Sequence, residues 1–440
     1  MSWRSIYDDL YALKMEIKTR INNLIHSKTV RNGGLFSAFS FFNKGIGFVL
    51  LILLAKYIQP SEYGELSLFN TLVSLLGYFV GLSTAGYLDV SFFKEKREDF
   101  KKDFTSICVI TLLVSSFICL IFVAFHAYLS SWLKLDVRFI FLGLAVAVMS
   151  VFINLNLSYL RVTEKISKYG LLSCGYAILN FILSLYLVIH EGLNWQGRVY
   201  AQVFCEVSFF SIAIIYFLKL RLFSISLEWE RYKKILIWGI PLIPHQMSVW
   251  LRQGCDQYII NAFYTTADVG VFSFALNLTN VIIILGMAFN STNSVTLFQT
   301  LSLDIPNAVK KQKLKKQEKA ILFLYIFFTI AIIVGAFLLV PVVLPKYASC
   351  LPYFLILSFY GFIQCLYFLV CNYLYYYNET KSLMMITFLC SLLHLALSFI
   401  FTRFSLYLTC SIYIISFSLI FFLVWKKSRM LIKANLSDEE

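Results

Sequence analysis

The amino-acid sequence predicts an all-α membrane protein that crosses the bilayer about twelve times. Of its 440 residues, 59% are apolar and only 14% are charged, whereas a soluble domain averages about 25% charged residues. The mean hydropathy is +0.76. Apolar segments recur along the whole chain at the length of about 20 residues that a helix needs to cross the hydrocarbon core. These observations exclude a soluble protein that carries a single anchor.

Each predicted span is an apolar run bounded by polar or charged residues. The shortest connection, 401–405, is a tight turn that must contain Arg403. The ten cysteines stand singly in or beside the apolar runs without a CxxC pair, so neither a zinc site nor a disulfide framework is predicted. In chain order, the predicted spans are 33–58, 66–93, 104–130, 137–160, 168–189, 198–218, 234–261, 269–298, 320–345, 350–375, 382–401 and 405–425.

The first 32 residues, which precede the first span, have the pattern of a basic amphipathic helix. Apolar side chains recur at spacings of three and four, which places them on one helical face. Lys14, Lys18 and Arg20 lie on the other face. A helix of this kind can lie on an anionic membrane surface, and the alternative is a soluble helix packed on a partner or on a loop.

Lysine and arginine are distributed unevenly between alternate connections, and this distribution predicts the orientation. The connections on the side of the N-terminus hold 30 of these residues, and those on the other side hold 5. Because cytoplasmic loops carry the excess, both termini are predicted to be cytoplasmic. The formal charge of +14 is therefore a topology signal, and nucleic-acid binding is excluded.

An internal repeat relates the two halves of the chain. The stretch 56–70 aligns with 262–276 at an offset of 206 residues, which places Gly64 over Gly270. Each half then holds six helices in the same orientation, the parallel-repeat arrangement of some transporters. The predicted divisions are an amphipathic segment at 1–32, six-helix bundles at 33–220 and 221–425, and a cytoplasmic tail at 426–440.

Ionisable groups inside the predicted spans mark candidate sites, because such groups are costly in hydrocarbon and usually face a partner or a watery cavity. Lys44, which follows Asn43, lies near the middle of the first span. We expect it either to face a cavity and contact substrate or to pair with an acidic residue elsewhere. Arg252 can bind two phosphate oxygens at once. Alternatively, it forms an ion pair with Asp256, one helical turn further along.

The seventh span contains residues that are unusual in a membrane helix, and it is the segment that we predict to bend. Pro241 and Pro244 remove amide donors and loosen the helix, so we assign them a hinge role. His245 either contacts substrate or satisfies a carbonyl group that the prolines free, and it could titrate near neutral pH. In the eighth span, Asn277 and Asn280 either bond neighbouring helices or line a polar path.

Four groups of motifs resemble a known family. QPSEYG at 59–64 follows the first span, and IPLIPH, DQYII and ADVGVFS follow one another within 240–273. VLPKYASCLPYF at 343–354 and YNETK at 377–381 complete the pattern. Together they resemble bacterial polysaccharide transporters, the O-antigen flippases of the Wzx type, in the multidrug/oligosaccharidyl-lipid/polysaccharide exporter superfamily. The resemblance covers about residues 33–425.

The resemblance implies two six-helix bundles around a central cavity in a bacterial inner membrane. It implies a transporter, not an enzyme, that moves undecaprenyl-diphosphate-linked oligosaccharide, an O-antigen or capsule repeat unit, by alternating access. Lys44 and Arg252 would then hold the diphosphate. The expected partners are this substrate, membrane lipids and polysaccharide polymerase machinery. No cofactor or metal is expected, and the sequence leaves open whether a proton or a sodium gradient drives transport, with Asp256 and His245 as candidate proton carriers.

Two other functions compete with this interpretation. A multidrug or small-molecule exporter of the same superfamily would favour a cavity dominated by carboxylates, whereas the deep charges here include Lys44 and Arg252. A membrane glycan polymerase would need a substantial external loop, and every predicted external connection is short.

Overall fold

The computed structural model describes residues 28–224 and 228–436. Most of the predicted amphipathic segment 1–32 lies outside the described residues. Within them the chain forms helices and no β-strand, and eleven stretches are long and apolar enough to cross a membrane. A twelfth crossing is assembled from shorter helices, so the predicted all-α fold with about twelve spans is confirmed.

Residues 28–224 form seven α-helices, because the predicted second span is divided in two. Leu82 and Ser83 have φ angles of 42° and 57°, in the left-handed region that ends a right-handed helix. The helix that begins at Ile166 is followed by a π-helical turn, Tyr186–His190. The helices are α1 (Lys28–Tyr57), α2 (Pro60–Gly81), α3 (Thr84–Lys94), α4 (Arg97–Leu133), α5 (Val137–Val162), α6 (Ile166–Leu185) and α7 (Asn194–Lys219).

Residues 228–436 form eight α-helices, and the last five of them correspond to predicted spans. A 3₁₀ turn at Pro345–Cys350 precedes the third of these five. The helices are α8 (Trp229–Gly239), α9 (Ile243–Gln253), α10 (Cys255–Phe263), α11 (Thr266–Ser302), α12 (Asn307–Val343), α13 (Leu351–Tyr376), α14 (Thr380–Phe401) and α15 (Leu406–Leu436).

The seventh crossing consists of three helices, and none of them reaches spanning length alone. A 3₁₀ turn at Ile240–Leu242 separates α8 from α9, and Gly254 separates α9 from α10. The first break falls where Pro241 and Pro244 lack amide hydrogens, and the second falls at a glycine. The backbone nevertheless stays in the right-handed helical region, with φ of −55° at Ile240 and −89° at Gly254. The crossing therefore continues as a chain of helical pieces with weakened joints.

Helix packing divides the molecule into two bundles. In the first, α5 packs on α2, α4 and α7, and α1 packs on α6. In the second, α13 packs between α11 and α15, and α9 packs on α14. We call α1–α7 the N-terminal bundle and α9–α15 the C-terminal bundle. We call the end that carries the stretches 94–102 and 302–319, where α4 and α12 begin, the basic end of the molecule. We call the other end the opposite end.

The repeat is visible in the contact between α2 and α11 at the opposite end. A Cβ atom on Gly64 would lie 2.0 Å from the carbonyl oxygen of Thr266, and one on Gly270 would lie 1.8 Å from that of Pro60. Pro60 and Thr266 are themselves separated by the repeat offset of 206 residues. The two helices therefore meet by the same contact made twice, once from each half, and only glycine permits so close an approach.

The first turns of these two helices are capped alike. The amide of Gln59 donates to a carboxylate oxygen of Glu62 at 3.0 Å, and the amide of Thr265 donates to Asp268 at 3.0 Å. Each pair forms a capping box, which satisfies amides that the helix itself leaves unbonded. The shared cap and the shared contact confirm that the halves are related by a parallel repeat.

Candidate functional site

The two bundles are joined at the opposite end by what we call the glycine seam, the contact of α2 with α11 around Gly64 and Gly270. Polar bonds reinforce it. Asn277 donates to the hydroxyl oxygen of Tyr63 at 2.9 Å, and the Tyr347 hydroxyl donates to the carbonyl of Ile58 at 3.1 Å. Asn277, predicted to bond helices or line a path, thus bonds across the seam. The seam packs the two bundles together at this end of the molecule.

The α10 helix extends the seam. Gln257 accepts hydrogen bonds from Ser67 at 2.9 Å and from Thr71 at 2.6 Å. Tyr258 donates to the carbonyl of Leu68 at 2.8 Å. These bonds tie the C-terminal bundle to α2 through side chains that are buried among apolar neighbours.

Toward the basic end, α11 presents a polar face that the N-terminal bundle does not cover. From Val269 to Ile283 the helix is largely buried, whereas Ser291, Thr292, Thr296 and Gln299 are exposed. Polar side chains inside a membrane usually face other helices or water rather than lipid. We infer from this rule that the face lines a water-filled opening between the bundles, which we call the central cleft.

Lys44 is exposed on α1, and no interaction with another described residue satisfies its charge. The predicted alternative of a structural ion pair therefore finds no partner within the described residues. A lysine at mid-span that is neither paired nor buried is best accommodated beside water. Asn43, the preceding residue, is half-buried and lies in the wall of a different cavity, inside the N-terminal bundle.

Arg252 lies inside the C-terminal bundle, where it is only 7% exposed. Its guanidinium donates to the hydroxyl of Ser391 and to the carbonyl oxygen of Thr387, and it stacks over the ring of Phe417 at 5.0 Å. Its Nε atom is buried without a hydrogen-bond partner among the described residues. The group thus holds α9 against α14 and α15 in this conformation.

The ion pair between Arg252 and Asp256 that the four-residue spacing predicts is not formed, and this alternative was wrong. Asp256 instead contacts His394, whose Nε2 lies 3.0 Å from the carboxylate. The other ring nitrogen of His394 lies 3.0 Å from the hydroxyl of Ser416. All atoms of Asp256 and His394 are shielded from solvent. These three residues lie on α10, α14 and α15. Asp256 and His394 are 138 residues apart in the chain, so their contact could not be recognised from sequence spacing.

The remaining predicted residues lie along or near the seventh crossing. Pro241 and Pro244 are exposed at the joint between α8 and α9. The side chain of His245 lies outside the described residues. Asn280 is half-buried on α11, near the seam.

The α8 helix belongs to the second half of the sequence but docks on the N-terminal bundle. Arg231 bonds Asp103 at 2.5 Å and Asp99 at 3.1 Å, and Lys234 bonds Glu95 at 2.8 Å. Burial opposes the charge on Arg231, but the hydrogen bond and negative charge of Asp103 outweigh it and raise the pKa of the guanidinium. The charged residues at 95–103 are therefore partners of α8 and not only a topology signal.

Close backbone packing completes this docking. A Cβ on Gly239 would lie 2.3 Å from the carbonyl oxygen of Leu82, and one on Gly86 would lie 2.7 Å from the ring of Trp238. The left-handed break between α2 and α3 is the surface that receives α8. The α8 helix thus bridges the bundles, with one end anchored on α3 and α4 and the other joined to α9.

Sequence reasoning missed two ionisable residues inside the N-terminal bundle. Arg198 is the first residue of the predicted span 198–218 and was not considered as a site; α7 in fact begins at Asn194, and Arg198 lines a cavity of the bundle. Glu206 lies on the same helix and is 4% exposed. The signal that marks Asp256, an acidic residue inside a span, marks Glu206 as well. Among the described residues no cluster of metal-ligating side chains occurs, and all ten cysteines are free.

Solved structures share this architecture. An inward-facing multidrug resistance MATE family transporter of the MOP superfamily aligns with a TM-score of 0.69 and 16% identity, over 91% of this chain and 96% of that one. The lipid II flippase MurJ, in an inward closed conformation, aligns with a TM-score of 0.68 and 15% identity, over 90% of this chain and 87% of that one. The chain therefore has the same two-lobed, multi-pass helical fold as these two structures.

Sequence comparison assigns the family. The "Lsg locus putative protein 1" of Haemophilus influenzae is 22% identical over 374 residues, which are 80% of this chain and 86% of that protein. The family profile described as "Polysaccharide biosynthesis protein" matches residues 29–302. The chain belongs to this polysaccharide biosynthesis family, which confirms the resemblance at the level of the family.

Proposed function

We propose that this protein is a flippase that moves undecaprenyl-diphosphate-linked oligosaccharide, an O-antigen or capsule repeat unit, across the bacterial inner membrane. The basic end is cytoplasmic in this proposal, and the conformation described faces the cytoplasm. One observation carries the proposal: α11 exposes polar side chains toward the basic end, whereas a symmetric glycine seam packs the two bundles together at the other end. Membership of the polysaccharide biosynthesis family and the fold shared with a lipid II flippase support it.

The chemistry of such a substrate matches the exposed cation. A diphosphate and several sugar hydroxyls cannot cross hydrocarbon unaided, because their desolvation is too costly. Lys44 offers a positive charge at mid-span, and the exposed hydroxyl and amide groups of Ser291, Thr292, Thr296 and Gln299 offer hydrogen bonds for sugars. In this proposal Lys44 binds the diphosphate first.

Arg252 takes part in a later step. In this proposal the guanidinium leaves Ser391 and the Thr387 carbonyl as it turns from the bundle interior toward phosphate, which loosens α9 from α14. Pro241 and Pro244 allow this movement as a hinge, because the joint between α8 and α9 lacks two amide donors. Substrate binding would thereby release the seventh crossing and permit the bundles to rock.

Energy coupling is proposed to act through the buried contact of Asp256 with His394. Protonation of Asp256 would remove a negative charge from α10, and protonation of His394 would add a positive charge to α14; a buried charge is stable only when it is paired. We include Asn43, Asn277 and Asn280 as polar groups that exchange partners between conformations. Membrane lipids and the polysaccharide polymerase machinery are the proposed partners.

The first test removes the cation and keeps its helix. Lys44→Ala is compared with Lys56→Ala, which removes a second exposed lysine at the end of α1. Both variants, and the wild type, are expressed in a host strain that lacks the chromosomal copy. The measurement is the fraction of lipid-linked oligosaccharide that an impermeant glycosidase can cleave on spheroplasts.

We expect at least about a tenfold lower outer-leaflet fraction for Lys44→Ala, because a charge-assisted bond to phosphate contributes about 1.5–3 kcal/mol. Lys56→Ala should behave as the wild type. Equal outer-leaflet fractions with and without the wild-type gene would refute the flippase proposal. Wild-type transport by Lys44→Ala would refute only the role of this lysine.

An exporter of small molecules remains the second candidate, because the MATE transporter shares the fold. Export of a cationic compound would not use Lys44. Resistance to a panel of cationic dyes that depends on the gene but not on Lys44 would favour this candidate.

A further inference from the structure

The N-terminal bundle contains a second, partly open cavity, between α1, α5, α6 and α7. Its volume is about 370 Å³. A single water needs only about 10–15 Å³ by a comparable measure, whereas sites for small molecules occupy about 300–1,000 Å³. The cavity is therefore of a size for an organic molecule and not for a lone ion.

The wall of this cavity contains buried polar atoms that have no hydrogen-bond partner among the described residues. Glu206 is 4% exposed and Asn156 is 3% exposed. One carboxylate oxygen of Glu206 accepts from Ser150 at 2.7 Å and from Tyr176 at 2.9 Å, while the other accepts none. The unpaired atoms are Asn43 Oδ1, Asn156 Oδ1, Ser173 Oγ, Arg198 Nη1, Gln202 Oε1 and Glu206 Oε2.

Such a concentration of unpaired groups is unusual, because more than about 90% of buried polar groups are normally bonded. Each unpaired group has lost its hydrogen bonds to water without gaining a partner in the protein, which is unfavourable. A bound molecule that supplies the missing partners would therefore be held by several hydrogen bonds at once. Acceptors outnumber donors in the set, so the ligand must donate hydrogen bonds as well as accept them.

The charges in the wall select a neutral ligand. Arg198 Nη1 and Glu206 Oε2 are both unpaired, so these two groups do not neutralise one another by direct contact. An anion would meet the carboxylate of Glu206, and a cation would meet the guanidinium of Arg198. The rings of Tyr176 and Phe209 also line the cavity, in an edge-to-face pair with centroids 5.4 Å apart. They offer apolar surface to a ligand that is otherwise polar.

We propose that this cavity binds one uncharged, hydroxyl-rich sugar residue of the transported glycan and thereby contributes to substrate selection. A sugar hydroxyl both donates and accepts hydrogen bonds, and its ring carbons can pack on aromatic side chains. Asn43 in the wall is next to Lys44, so the cavity and the exposed cation lie at the same depth along α1. This inference rests on the proposed function, because it assigns a part of that substrate to a second subsite.

The test fills the cavity without disturbing its walls. Gly47 lies in the cavity wall, and a Cβ on it would meet nothing within 4 Å, so Gly47→Leu projects into open space. Gly45→Leu is the matched control, since its Cβ also meets nothing within 4 Å and Gly45 is not part of the wall. A second variant, Glu206→Gln, keeps the shape and removes the charge. Ser211→Ala, at an exposed serine of the same helix, is its control.

The probes are methyl glycosides of the monosaccharides released by acid hydrolysis from the host's own surface polysaccharide. Binding to the purified full-length protein in nanodiscs is measured by calorimetry. We expect at least one glycoside to bind the wild type and the two controls. Its affinity should fall at least about tenfold in Glu206→Gln, where a hydrogen bond to a charged group is lost, and binding should be abolished in Gly47→Leu. The same two variants should reduce outer-leaflet oligosaccharide in cells.

The outcomes separate the two proposals. Transport by the wild type, with no glycoside bound and with Gly47→Leu equal to Gly45→Leu, overturns the sugar subsite and leaves the flippase standing. Specific glycoside binding that Gly47→Leu abolishes, in a protein whose deletion leaves the oligosaccharide leaflets unchanged, supports the subsite and overturns the flippase. A cavity that holds only water gives no binding heat with any glycoside.

Discussion

Alanine at Gly64 should open the glycine seam. An ordinary contact of a Cβ atom begins at about 3.4 Å, but at this position the Thr266 carbonyl oxygen would lie at 2.0 Å, so the overlap is about 1.4 Å. The obstacle is backbone, which cannot rotate away as a side chain can. Overpacking of this kind costs about 1–3 kcal/mol, which corresponds to roughly a 5- to 150-fold shift in a two-state equilibrium. We expect Gly64→Ala to favour the conformation that is open at the opposite end.

A native cysteine reports on this opening. Cys350 is fully buried next to Tyr347, whose hydroxyl bonds the carbonyl of Ile58 across the seam. Spheroplasts are treated with a membrane-impermeant maleimide, and modification of the peptide that contains Cys350 is quantified by mass spectrometry. We expect at least about a fivefold higher initial rate of labelling in Gly64→Ala, together with a lower outer-leaflet fraction of lipid-linked oligosaccharide.

The control lies on the same helix. A Cβ on Gly77 would meet nothing within 4 Å, so Gly77→Ala changes the same residue type on α2 without an overlap. This substitution should stabilise the helix slightly, since alanine is favoured over glycine in helices by about 1 kcal/mol. Labelling and transport by Gly64→Ala that equal those of Gly77→Ala, at equal protein abundance, would show that the seam does not close this end.

Two further predictions concern stability. Arg231→Ala should lower the free energy of unfolding by about 3–5 kcal/mol, because it leaves the buried carboxylate of Asp103 without its cationic partner. The control is Lys233→Ala, which removes an exposed and longer ion pair. This control should change the free energy of unfolding by less than about 1 kcal/mol. Thermal unfolding of the purified variants measures both, and equal Tm values would contradict the docking of α8. Asp256→Ala should cost about 1–3 kcal/mol, because it leaves the buried imidazole of His394 without its hydrogen-bond partner. The variant that also carries His394→Ala should cost less than the sum of the single changes by about 0.5–3 kcal/mol. Additive losses of stability in this double-mutant cycle would show that the two side chains do not interact.

The spans were predictable from the sequence because hydrocarbon requires long apolar helices, and this rule acts on local composition. The helix break at Leu82 and Ser83 was not predictable, because neither residue is a proline or a glycine. The left-handed turn there is stabilised by α8, which packs against it. The repeat predicted that Gly64 and Gly270 are equivalent, but equivalence does not require contact. Their mutual packing depends on how the two halves assemble.

The candidate site was less predictable than the fold, because its contacts join distant parts of the chain. The four-residue spacing favoured a pair between Arg252 and Asp256, whereas the hydrogen bonds of Ser391 and His394, from α14, separate the two charges. Tertiary partners outweighed local spacing. Glu206 was overlooked although a carboxylate inside a span is itself a functional signal.

The reciprocal contact of the glycine seam restricts the genetics of this protein. The atoms that oppose Gly64 and Gly270 are the carbonyl oxygens of Thr266 and Pro60, which remain in place whatever side chain is encoded there. No exchange of a facing residue can therefore compensate for a larger residue at either glycine. Second-site revertants must instead weaken the competing conformation, so they are expected to map to surfaces that meet when the basic end closes, such as the polar face of α11. Both copies of this position are therefore expected to remain glycine, even where the sequences of the two halves diverge around them.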